Sequence, residues 1–108
     1  MNLPTEIFGD TIVVHTPEEL GSEQVDGFLS FIDRLERILV VADIDGTETI
    51  DSKGLTALLD AQDRLRILGG DMKLAATNPS NRKILEMTRL DQSLEVFESV
   101  VDAVRSYR

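Results

Sequence analysis

The sequence predicts an α/β fold: a small mixed β-sheet with helices packed against it, in the order β-β-α-β-α-β-α-β-α. Three observations carry this. The apolar runs Ile12-Val13-Val14 and Ile38-Leu39-Val40-Val41-Ala42 are β-branched-rich and too short for most helices. The stretches between such runs repeat their apolar residues at helical spacing, and strands separated by helices pair in parallel through right-handed crossovers. Gly9-Asp10 is a turn signal between two short strand-like segments, which adds an antiparallel hairpin at the start.

Each element follows in order. Glu6-Ile7-Phe8 pairs across Gly9-Asp10 with Ile12-Val13-Val14. From Ser22 to Glu36, Val25, Phe28, Leu29, Ile32 and Leu35 form one face of an amphipathic helix with Ser22 as its cap. Ile38 to Ala42 is the strand expected at the centre of the sheet. Gly46 to Ile50 reads as a loop. Leu55, Leu58, Leu59 and Leu65 then mark the inner face of a second helix, capped by Asp51 or Ser52 and stopped at Gly69-Gly70. Met72 to Ala76 is the next strand. Asn78-Pro79-Ser80 leads into a short helix through Met87, with Ser80 expected as its cap. Glu95-Val96-Phe97 is the last strand, and Ser99-Val100-Val101-Asp102 has the spacing that opens a terminal helix.

At 108 residues, the chain is expected to be one domain spanning residues 1–108. Its formal charge of −9 disfavours nucleic acid and anionic membrane, which require concentrated Lys and Arg, whereas the 11 basic residues here are scattered. No stretch approaches the about 18 uninterrupted apolar residues of a membrane span, and the N-terminus lacks the basic and apolar regions of a signal peptide. A cytoplasmic protein is expected. Cysteine is absent, which removes disulfides and thiolate chemistry together. His15 stands alone at a strand end, without the clustered ligands zinc needs, so no metal or other cofactor is expected.

One motif argues for an enzyme. Asp43-Ile44-Asp45-Gly46-Thr47 matches the D-x-D-G-T pattern of haloacid-dehalogenase-type phosphatases, whose first carboxylate attacks phosphorus and whose second moves the proton. Thr77-Asn78 and Lys83 resemble two further parts of that machinery. The acidic pair that would hold Mg²⁺ after a later strand is missing, and the remaining chain is too short to supply the larger sheet of that class. Asp43 and Asp45 are therefore read as solvated, turn-forming carboxylates.

The more informative stretch is Ile50-Asp51-Ser52-Lys53-Gly54-Leu55. Together with the apolar strand before it, Gly69-Gly70, the Pro79-Ser80 helix start and Leu90-Asp91 before the last strand, it resembles the STAS domain of bacterial anti-sigma factor antagonists. The resemblance implies a non-catalytic protein that binds an anti-sigma factor serine kinase and is switched by phosphorylation, with a serine phosphatase to reverse it. It identifies Ser52 as the phosphorylation site, and Lys53 stands where many antagonists carry a second serine. A phosphate there would meet the unpaired N–H groups and positive end of a helix N-terminus. It would add about −1.5 to −2 charge at a docking surface. The surface expected to meet the partner is Asp51, Ser52, Lys53, Gly54, Thr56 and Asp60, with the loop before them. Gly54 costs about 1 kcal/mol relative to Ala inside a helix, so its presence points either to close approach of another backbone, from this chain or a partner, or to the tolerance of a helix terminus for glycine. STAS-like domains also serve as constitutive assembly modules of signalling scaffolds and lipid transporters, which is the alternative role.

Overall fold

The computed structural model describes all residues from Met1 to Arg108. In chain order the strands are β1 (Thr5–Phe8), β2 (Thr11–His15), β3 (Glu19–Leu20), β4 (Leu39–Asp43), β5 (Thr49–Ile50), β6 (Asp71–Ala75) and β7 (Val96–Phe97). The helices are α1 (Val25–Asp33), α2 (Ser52–Ile67), α3 (Pro79–Met87) and α4 (Val100–Arg105), with a 3₁₀ turn at Leu90–Gln92. The main sheet has the order β1-β2-β4-β6-β7, so β4 lies at its centre as its continuous apolar run predicts. β1 is antiparallel to β2 and every other pair in that sheet is parallel, as expected where helices separate the strands.

Strand alternation divides the core into two layers. Ile12, Val14, Val40, Ala42, Met72 and Leu74 point to one face and pack with Phe28 and Ile32 of α1, Leu58 and Leu65 of α2 and Leu85 of α3. Val13, Val41 and Ala75 point to the other and meet Ala103 and Val104 of α4. Lys73 shares that second face and is buried. Its ammonium donates to Ser106 Oγ at 2.8 Å and lies 4.2 Å from the Tyr107 ring centroid, so the C-terminal turn supplies the hydrogen bond and cation–π contact that a buried charge requires.

Four local expectations are corrected. Ser22 does not cap α1: a turn closed between Gly21 and Gln24 precedes the helix, which starts at Val25 behind Gln24, while the Ser22 amide donates to Asp51. Asn78 rather than Ser80 caps α3, its Oδ1 accepting the Ser80 amide at 2.9 Å while Pro79 takes the first helical position, where a missing N–H costs nothing. The segment from Gly46 to Ile50 is not all loop, since Thr49–Ile50 pairs in parallel with Glu19–Leu20 as a separate two-stranded ladder. Asp43 and Asp45 are partly buried rather than freely solvated: Asp43 Oδ1 accepts the Asp45 amide, and Asp45 Oδ1 accepts the amides of Thr77 and Asn78. They pin the ends of β4 and β6 together.

Candidate functional site

The β3–β5 ladder delivers the chain directly to the start of α2. Asp51, in extended conformation, is the cap: its Oδ1 accepts the Gly54 amide at 2.8 Å and its carbonyl accepts the Leu55 amide at 3.0 Å. Its other oxygen, Oδ2, accepts the Ser22 amide at 3.0 Å. One carboxylate thus ties the turn after β3 to the helix start. These hydrogen bonds, that from Gly54 first and that from Ser22 second, hold the Asp51 carboxyl below its ordinary range and keep it charged.

Ser52 is therefore the first residue of α2 and not its cap. Its side chain is exposed, while its carbonyl accepts the Thr56 hydroxyl at 2.9 Å. With Gly54 N–H and Leu55 N–H already committed to Asp51, fewer donors remain for a phosphate than an uncapped helix start offers. A phosphoryl group on Ser52 would stand beside a charged carboxylate, so its main effect is added negative charge at the surface.

Gly54 is where the close approach predicted from the sequence occurs. A Cβ built on it would lie 2.0 Å from the Leu20 carbonyl oxygen, so a side chain would force α2 off the ladder. Because this chain itself buries Gly54, the residue shapes the surface from beneath and does not face outward as expected of a contact residue. Asp51, Ser52, Lys53, Thr56 and Asp60 are all exposed and share the outer side of the start of α2. They come together in space as they do in sequence.

Two supports of the site had no clear sequence signal. Asn81, buried on α3, donates through Nδ2 to the carbonyls of Ile44 at 2.9 Å and Thr47 at 3.1 Å, fixing the loop that leads to β5. Thr47 is buried too, its hydroxyl donating to the Pro17 carbonyl and pairing with that of Thr16. Only the polar character of Asn81 on an otherwise apolar-facing helix hinted at this, since buried polar groups need partners.

The carboxylates of the phosphatase-like motif are engaged elsewhere. Asp43 Oδ2 lies 2.9 Å from His15 Nδ1, and Asp45 is held by the backbone of residues 77 and 78.

Comparison with known proteins gives a consistent fold. The family model described as STAS domain matches residues 2–103. Among solved structures, an anti-sigma factor antagonist from Mycobacterium paratuberculosis superposes with a TM-score of 0.84 at 20% identity, over 97% of this chain and 92% of its own. The Bacillus cell fate determinant SpoIIAA in its phosphorylated form gives 0.71 at 18% identity, over 99% and 100%. A sulfate transporter family protein from Wolinella succinogenes gives 0.79 at 15% identity, over 94% and 87%. A comparison with curated proteins finds no match.

Proposed function

This chain belongs to the STAS domain family, and from that premise we propose that it is an anti-sigma factor antagonist, its 108 residues working as one domain in the cytoplasm. Unphosphorylated, it binds an anti-sigma factor serine kinase and so frees the sigma factor. The kinase then moves the γ-phosphoryl group of its ATP to the Ser52 oxygen, ADP and the hydroxyl proton leave, and the modified protein is released. A separate serine phosphatase resets it.

The observation that carries this reading is the exposed hydroxyl of Ser52 at the first position of α2, on a helix start rigidly held by Asp51 and Gly54. A rigid surface binds without paying to order itself, and added charge of about −2 beside Asp51 is enough to oppose a closely docked partner. Asp51, Ser52, Lys53, Thr56 and Asp60 form the proposed contact surface, with Gly54 setting its shape. The protein is read as non-catalytic, because Asp43 and Asp45 are already engaged in hydrogen bonds that brace the sheet.

A second reading, a constitutive assembly module of a signalling scaffold or transporter, draws support from the likeness to the Wolinella succinogenes transporter protein. No helix of this chain is long and apolar enough to cross a membrane, so in that role it would act as a subunit or appended domain. Affinity capture from lysate of the source organism, with wild type and Ser52→Asp as parallel baits, separates the two. An ATP-binding kinase held by the wild type and lost from Ser52→Asp is the expected result. The same partners on both baits would sink the switch in favour of the assembly module.

A further inference from the structure

His15 is the sole histidine of the chain, and both of its ring nitrogens are engaged. It ends β2, opposite Asp43 of β4, with Nδ1 2.9 Å from Asp43 Oδ2. Nε2 lies 2.7 Å from Oε1 of Glu6 on β1. Glu6 is the cross-strand partner of Val13, and Val13, His15, Val41 and Asp43 share one face by strand alternation. The three side chains therefore form a row across β1, β2 and β4, at the end of the sheet where β4 turns into the loop toward the site.

The geometry points to a proton-operated clasp: His15 fastens the edge strand β1 to the sheet when its imidazole is charged and releases Glu6 when it is neutral. An imidazolium donates from both nitrogens, whereas a neutral imidazole has one N–H. Two ionised carboxylates only accept, so loss of the proton leaves one of the two contacts without a hydrogen. The contact to Asp43 survives, because that side chain is only 15% exposed and is further fixed by the Asp45 amide at 3.0 Å. Glu6 is 54% exposed and turns to water at little cost.

The charges acting on His15 are those of Glu6 from β1 and Asp43 from β4. Desolvation pulls its pKa down, but the Glu6 hydrogen bond and the Asp43 charge and hydrogen bond together raise it above 6.5. β1 is an edge strand: all four of its residues are exposed, its sheet neighbour is β2 alone, and Glu6–His15 adds a side-chain tie to the antiparallel backbone ladder between the two strands. Releasing Glu6 weakens the strand that covers the outer backbone edge of β2. That edge is thus better sealed in mild acid than above neutrality.

The test is NMR on the intact chain. The His15 Cε1–H signal gives its titration without overlap from another histidine, and amide exchange gives the protection of β1 relative to β4 at each pH. The expected result is a midpoint above 6.5, with relative β1 protection falling several-fold as pH rises through it. In Glu6→Gln, an exposed substitution that the fold tolerates, the midpoint drops and the fall in protection disappears. A wild-type midpoint at or below 6.5, relative β1 protection that ignores the His15 titration, or an undiminished fall in Glu6→Gln would each overturn the clasp.

Discussion

Asp51 and Ser52 are adjacent polar residues at a helix start, and each could cap it. The structure gives the cap to Asp51, whose carboxylate also takes the Ser22 amide, and leaves Ser52 free of structural duty. This separation matters for a switch, because modifying a serine whose side chain holds no fold contact changes the surface charge and leaves the Asp51 cap in place. Thermal unfolding followed by circular dichroism tests it. Ser52→Ala should leave stability within about 0.5 kcal/mol of wild type, whereas Asp51→Ala should clearly lower the Tm by removing two amide partners at once. Equal losses in the two variants would mean that Ser52 shares the cap.

At the scale of elements, α4 shows how one short helix completes a sheet face. It brings only Ala103 and Val104 into the core, but the turn beyond it adds the Tyr107 hydroxyl, which donates to the Val40 carbonyl of the central strand at 2.8 Å. The same turn carries two partners of the Lys73 ammonium, Ser106 and Tyr107, beside its ion pair with Glu95 at 3.7 Å. Tyr107→Phe removes one hydrogen bond and leaves the ring in place, so urea unfolding should show a loss of about 1 kcal/mol with an unchanged m-value. No loss would mean that water replaces the hydroxyl at Val40. The boundaries of α1 and α3 illustrate the opposite dependence. Their apolar spacing was legible, yet their caps were not, because a Gly21–Gln24 turn displaces the start of α1 past Ser22 and Pro79 moves the cap of α3 back to Asn78.

For the whole molecule, the shifted groups define how stability follows pH. The folded value of Asp51 is depressed, so its contribution is present above the ordinary 3.8 and is lost as pH falls through the lowered value. The folded value of His15 is raised, so its contribution is complete below 6.5 and is lost as pH rises through the folded value. Burial foremost raises Tyr107, whose phenol stays protonated where the unfolded chain ionises, so stability falls again above pH 10. Self-repulsion of the −9 chain also grows from acid toward neutral pH and pushes in the same direction as His15. Urea midpoints from pH 5 to 9 should therefore decline in wild type, and the part due to His15 should be missing from His15→Gln. Parallel curves for the two proteins would assign the whole decline to net charge.

Local periodicity and turn residues were enough to determine the α/β class, the central place of the strand read at Ile38 to Ala42, the hairpin at Gly9-Asp10 and the inner faces of the helices, because each depends on residues close in sequence. The run from Ile50 to Leu55, taken with the apolar strand before it, Gly69-Gly70, Pro79-Ser80 and Leu90-Asp91, carried the family resemblance that implies the candidate serine, and Gly54 announced a close approach without saying to what. Only the tertiary structure decided that the approach is to Leu20, that Asn81 braces the loop between Ile44 and Thr47, and that Glu6, His15 and Asp43 form one row. Those contacts join residues brought together by strand pairing and crossover helices. Spacing along the chain carries no record of which polar group will find which partner once the sheet has formed.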